Sequence, residues 1–180
     1  MTAALRFARR VHLGQHRKQT YEQFVEHPIA VARLLSEEGL DGPVMAAAYL
    51  HDVFEKTPVT LEELDERFGP EVASIVGALS EDFEIEGYAA RKRALRRQVL
   101  SAGRTVALIY VADRVANVRD WRMVAPESRE DCAARLGTRI DERLRLWEED
   151  LRELRDHYPD LPFLTEFEVQ LRELKAEAPA

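Results

Sequence analysis

At the end of the apolar run "VMAAAYL" the chain reads His51-Asp52-Val53-Phe54-Glu55-Lys56, four ionisable side chains brought to the edge of a core. Neighbouring residues on a helix point about 100° apart, so this His-Asp pair reaches one ion only where a helix end or turn lets both converge. Thr57-Pro58 puts such an end close by. Two further segments bring the same kinds of donor. His27 stands directly before Pro28, which biases its backbone to an extended conformation and leaves its ring at a helix mouth. The run "VALIYVADRVANVRD" carries Asp113 to a position where an unpaired carboxylate is costly to bury, and Asn117 lies one turn further along the same side. Taken singly, Asp113 also fits a structural ion pair with Arg17 or Arg114. Taken together, His27, His51, Asp52 and Asp113 make a nitrogen and oxygen set suited to a first-row divalent ion such as Mn²⁺, with positions left for water and substrate. Such an ion lowers the pKa of its water and polarises a phosphoryl oxygen. Glu55, one turn after His51, is placed to orient or deprotonate that water. Arg17 and Lys18 supply positive charge for an anionic substrate, while the cluster "RKRALRR" at 91–97 either adds phosphate contacts or is a solvated helix face.

These donors need a scaffold, and helical periodicity dominates the chain. The expectation is an all-α helical bundle. A first helix covers roughly residues 3–18, a second starts at Pro28, and a third, from about Pro43 to Phe54, is apolar on nearly every side and should be central. Thr60 and Glu63 are spaced as a capping box, and Gly69 stops the short helix they open. Further helices are read over about 71–79, over the basic stretch from Tyr88, and over "VALIYVADRVANV", whose apolar run taken alone resembles a strand but continues in helical register. From Glu130 to His157, Leu136, Ile140, Leu144, Trp147, Leu151 and Leu154 recur at three- and four-residue steps, predicting one long helix over the core. "HYPDLPF" breaks it before a last amphipathic segment and an unstructured "AEAPA". Trp121 and Trp147 read as packing residues, Cys132 as a small buried hydrophobe, and His12, His16 and His157 as surface residues.

The chain has 180 residues and a net charge of −7. Its length suits one domain, and its charge argues against general nucleic-acid binding, which rests on excess Lys and Arg. The N-terminal stretch is amphipathic and no run approaches the roughly 20 apolar residues that span a bilayer, so no membrane association and a cytoplasmic location are expected. A small anionic ligand remains compatible with a locally basic pocket, and assembly into a homo-oligomer stays open.

In the order "FARRVHLGQHRK", "EHPIAVARLL", "AAAYLHDVFEKTPVTLEELDERFGPEVASIV" and "VADRVANVRD", the sequence resembles the hydrolase domain of RelA/SpoT-type alarmone enzymes, within the HD phosphohydrolase superfamily. The likeness covers roughly residues 3–121 and leaves about 128–175 as covering helices. It implies a helical domain that holds one Mn²⁺ and removes pyrophosphate from the 3′ position of a guanosine nucleotide, ppGpp or pppGpp. By position it implies His27, His51, Asp52 and Asp113 as metal ligands, Arg17 against the guanine, Glu55 handling the attacking water and Asn117 near the nucleotide. Two departures stand out. Where the family reads HD-x-x-E-D, this chain has Lys56 in place of the second acid, exchanging a carboxylate for an ammonium group that either clamps a phosphate or lowers activity. Where the family reads G-E-P-Y, it has Tyr21-Glu22-Gln23-Phe24, which puts Phe24 at the expected nucleotide wall.

Overall fold

The computed structural model describes residues 2–177 as an all-α fold, with one isolated bridge, His16 to Gln23, as the only β pairing among them. Helix α1 spans Ala3–Val11, its first turn closed by the Thr2 hydroxyl accepting from the Leu5 N–H at 3.2 Å. It does not reach Lys18. Gly14 takes a left-handed conformation, φ +80°, and the chain folds back on itself, with the Phe24 N–H donating to the Gln15 carbonyl at 2.9 Å. His12 is thereby buried, not on the surface: its Nδ1 lies 2.8 Å from Gln15 Oε1 and its ring packs on Phe24 at 4.8 Å.

Helix α2 spans Glu26–Glu37, two residues earlier than Pro28 predicts. Pro28 falls within the first turn, where its missing N–H costs nothing, so His27 is itself helical rather than extended. The predicted third helix divides at the His-Asp pair into α3, Gly42–Leu50, and α4, Val53–Lys56. Helix α5, Leu61–Phe68, is capped by Thr60 accepting from the Glu63 N–H and stopped by Gly69 at φ +90°; α6, Pro70–Leu79, follows directly. After the acidic loop come α7, Tyr88–Ala102, and α8, Arg104–Arg122.

Helix α8, not α3, is the centre. Eleven of its 19 residues are buried, among them Ile109, Val111, Val115 and Trp121, and it packs against α2, α7 and α11, Leu164–Ala176. A short 3-10 turn, Pro126–Ser128, leads to α9, Arg129–Arg135, and then α10, Ile140–His157. The single long helix expected from Glu130 is broken by Gly137 at φ +71°, a conformation that side chains other than glycine rarely adopt. The covering layer is therefore three helices. Cys132 is fully buried in it, and Trp147 of α10 meets Trp121 edge to face at 6.4 Å. Of the predicted unstructured tail, Ala176 still belongs to α11 and Glu177 caps it, while the last three residues lie outside the described ones.

A buried ionic knot joins α10 to the core. Asp150, almost fully enclosed, accepts from Arg96 at 2.7 Å, from Arg114 at 2.8 Å and from the Tyr110 hydroxyl at 3.0 Å. The solvated face expected for 91–97 is thus only partly so. Arg96 is buried in this knot, Arg93 pairs with Glu149, and Arg97 remains exposed. No helix among the described residues is long and apolar enough to cross a membrane.

Candidate metal centre and its basic cavity

The break between α3 and α4 is what lets His51 and Asp52 converge. His51 closes α3 and Asp52 caps α4, so the adjacent side chains turn to one side at a helix junction. From α2, His27 places Nε2 2.8 Å from Asp113 Oδ1 on α8; His51 Nε2 lies 3.6 Å from the same oxygen. Donor atoms of His27, His51 and Asp113 all fall within 4.8 Å of one another, the spread expected around a single ion. Asp52 stands beside this group, its Oδ2 3.4 Å from His51 Nε2 and 3.9 Å from His27 Nε2.

The surroundings prepare these atoms. His51 Nδ1 lies 2.8 Å from the Ala48 carbonyl, which can only accept, so the proton sits on Nδ1 and the Nε2 lone pair faces the cluster. That Nε2 is buried without a hydrogen-bond partner. A buried, unpartnered imidazole nitrogen amid carboxylates fits a divalent cation, which removes the cost of leaving it unmatched. Without one, protons take the place. Burial alone disfavours the imidazolium, but Asp52 and Asp113 outweigh it and push His51 up to about 9. His27 moves the other way, pushed down by burial and by the Arg17 charge. Burial works against both carboxylates too, yet Arg114 holds Asp113 well below the ordinary range, and His51 with His27 lowers Asp52.

Asn117 is a two-sided bracket. Its amide donates to Asp113 Oδ1 at 2.7 Å while its oxygen accepts from Arg17 at 2.9 Å, tying a candidate ligand to the candidate base-stacking residue. Asp120, which the sequence reading passed over, holds the same Arg17 nitrogen at 2.5 Å. Its signal was its place one turn beyond Ala116 and Asn117 on the same helix. The folded-back segment after α1 brings buried Arg17 and exposed Lys18 to the cavity wall, and Arg17 lies over the Phe24 ring at 5.9 Å. The structural ion pair foreseen for Asp113 exists as well: its Oδ2 accepts from Arg114 at 2.7 Å, leaving Oδ1 for the cluster.

Glu55 and Lys56 line the same space, the Glu55 side chain nearly enclosed and that of Lys56 part-exposed. Glu55 accepts twice, from the Glu81 backbone N–H at 2.7 Å and from Lys56 Nζ at 2.8 Å, which fixes it rather than leaving it solvated. Burial opposes the Lys56 charge, but Glu55 and Asp52 hold its pKa above the ordinary lysine value. The four candidate ligands line one cavity of about 430 Å³ together with Arg17, Lys18, Glu55, Lys56 and Asn117, a volume in the range of small-molecule sites. Its wall carries seven lysines and arginines against four carboxylates, a reversal of the sign of the whole chain. Arg91 and Lys92 from the basic cluster are part of it, both pairing with Glu81.

A helical bundle with a His, His-Asp and Asp set on three helices defines a class, and the family model described as "HD domain" matches residues 4–140. The chain belongs to the HD domain family. It is 35% identical over 127 residues to guanosine-3′,5′-bis(diphosphate) 3′-pyrophosphohydrolase MESH1 of Xenopus tropicalis, covering 69% of this chain and 70% of the relative. It is 39% identical over 119 residues to a probable GTP pyrophosphokinase of Mycobacterium leprae, covering 64% of this chain but only 15% of that protein. Against such long relatives the chain matches a small part of the length. A solved structure of a metazoan SpoT ortholog, described as hydrolyzing ppGpp and acting in starvation responses, superposes with a TM-score of 0.76 at 28% identity, covering 98% of this chain and 96% of the other.

Proposed function

We propose that this protein is a metal-dependent phosphohydrolase that removes the 3′-pyrophosphate of guanosine 3′,5′-bis(diphosphate) and its pentaphosphate counterpart. The observation that carries the reading is the buried, unpartnered His51 Nε2 beside Asp52 and Asp113, at the base of a cavity richer in cations than the rest of this acidic chain. The activity named for the similar MESH1 and SpoT-type proteins points the same way. His27, His51, Asp52 and Asp113 are assigned as the ligands and Mn²⁺ as the ion, a hard-to-borderline metal matched to two imidazoles and two carboxylates. When bound, such an ion supplies Lewis acidity toward a phosphoryl oxygen and lowers the pKa of water.

The remaining roles belong to the chain itself. Glu55, held by the Glu81 N–H and Lys56, keeps its carboxylate in the cavity wall, where it orients water and receives its proton. Asn117 holds Asp113 in position, and through its oxygen it sets Arg17 against the nucleotide. Lys56, with Lys18, supplies charge to the departing pyrophosphate, and Phe24 backs Arg17 as a wall for the base. The whole chain is read as one catalytic domain acting on a small nucleotide in the cytoplasm, with α9, α10 and α11 covering its core. A panel of nucleotides assayed with Mn²⁺ tests this: release should be fastest from the 3′-pyrophosphorylated guanosines. Preference for any other phosphate ester would replace the substrate while leaving the metal chemistry. A second reading, a weak binding module, rests on Lys56 and predicts bound nucleotide with little turnover.

A further inference from the structure

The four buried arginines among the described residues are all paired with carboxylates, while a fifth, half-buried, is not. Arg17 holds Asp120, Arg96 and Arg114 hold Asp150, and Arg129 holds Glu177. Arg143 of α10 has no carboxylate partner among the described residues, and its Nε is buried without a hydrogen bond. Its guanidinium is boxed by aromatic rings, 5.0 Å from Trp121, 5.1 Å from Tyr88 and 5.7 Å from Trp147. Such a box holds a cation in place without neutralising it. Burial pushes its pKa down; Tyr88 opposes this, while the nearby Arg114 and Arg17 charges add to it.

This arginine reaches the wall of the main cavity and also a side recess of about 50 Å³ shared with Lys92, Arg114, Asn117 and Asp150, whose carboxylate is already held by Arg96, Arg114 and Tyr110. The recess has room for several water-sized groups, enough for the oxygens of one phosphoryl group. An anion there would relieve the repulsion among Arg143, Arg114 and Lys92, and a planar guanidinium fixed in advance binds phosphoryl oxygens with little ordering cost. Lys92 is partly spent on Glu81 and Arg114 on Asp113 and Asp150, so Arg143 is the group with charge to offer.

We propose that Arg143, flanked by Lys92 and Arg114, is a second anion subsite that grips a phosphoryl group of the nucleotide other than the one attacked; this rests on the phosphohydrolase reading above. The full chain, stripped of metal, is titrated with inorganic pyrophosphate by calorimetry, so that the His-Asp cluster holds no ion to bind it. Binding should weaken at least tenfold in Arg143→Gln and stay unchanged in Arg97→Gln, an exposed arginine of α7 outside the cavity. With Mn²⁺ restored, Arg143→Gln should raise KM for guanosine 3′,5′-bis(diphosphate) at least tenfold while changing kcat less. If that rise shrinks for an analogue with a single 5′-phosphate, the subsite takes the 5′ group; if it persists unchanged, it takes the distal phosphate of the 3′-pyrophosphate. Equal pyrophosphate affinity in Arg143→Gln and the parent, with the thermal midpoint preserved, overturns the subsite. Should Arg143→Gln not fold, Arg143→Lys and Lys92→Gln are read instead, and parental affinity in both overturns it equally. Arg143-dependent binding in a protein that releases no pyrophosphate would sink the hydrolase reading and leave the subsite. Pyrophosphate release indifferent to Arg143 would do the reverse.

Discussion

If His51 is the ligand proposed above, protons and the metal compete for it on terms that the structure sets. In the metal-free protein Asp52 and Asp113 hold the imidazole at about 9, against an ordinary 6.5. That is roughly 2.5 pKa units, or about 3 kcal/mol at 1.36 kcal/mol per unit. Because the folded-state value is raised, this stabilisation is fully present below pH 6.5 and is lost as pH rises through 9. For a chain of this size it is worth a fall of about 6–12 °C in the metal-free thermal midpoint across that window. Metal binding has the opposite sign. The ion needs the neutral ring, so below pH 9 each ion bound expels a proton and the apparent affinity drops about tenfold per pH unit, or about a hundredfold from pH 8 to pH 6. Calorimetry with Mn²⁺ in two buffers of different ionisation enthalpy counts the proton directly, close to one per ion at pH 7. Affinity that is flat between pH 6 and pH 8 with no proton released would refute both the ligand assignment of His51 and the reasoning from its carboxylate neighbours.

Lys56→Asp should raise KM for the bis(diphosphate) about fivefold if Lys56 clamps phosphate, since a pair involving a side chain this exposed is worth on the order of 1 kcal/mol after solvent screening. A large gain in kcat instead would mark Lys56 as the cause of a weakened site. Asp150→Asn leaves Arg96 and Arg114 without their shared charge in a dry interior, and should cost about 3–5 kcal/mol, lowering the thermal midpoint by about 6–20 °C in scanning calorimetry. A midpoint within a degree or two of the parent would show that the knot is not what ties α10 to the core.

What the sequence made legible is local. The 3.6-residue period of "VALIYVADRVANV" and the spacing of Asp113 and Asn117 placed both on one face of α8, and the need for a helix end at His51-Asp52 was met by the junction between α3 and α4. Breaks that depend on one backbone angle were less visible. Gly14 and Gly137 lie inside patterns that otherwise read as continuous helix, and their positive φ values decide where α1 and α9 stop. Pairings across long separations were not readable at all. Arg17 with Asp120 and Arg114 with Asp150 join residues 103 and 36 positions apart, and no periodicity marks such partners. The same holds for Arg143, whose rings come from α7, α8 and α10. His12 looked solvated because Arg9, Arg10, Arg17 and Lys18 make its stretch of sequence strongly charged; Gln15 and Phe24 cover it only after the chain turns back.

The most direct measurement is release of pyrophosphate from guanosine 3′,5′-bis(diphosphate) by the Mn²⁺-loaded protein, beside an Asp52→Ala variant shown to be folded. The account predicts turnover in the parent and its near-complete loss in the variant, because Asp52 is one of the two carboxylates that offset the ion's charge at His27 and His51. Equal release by both proteins, or none by a parent that holds its metal, would contradict it.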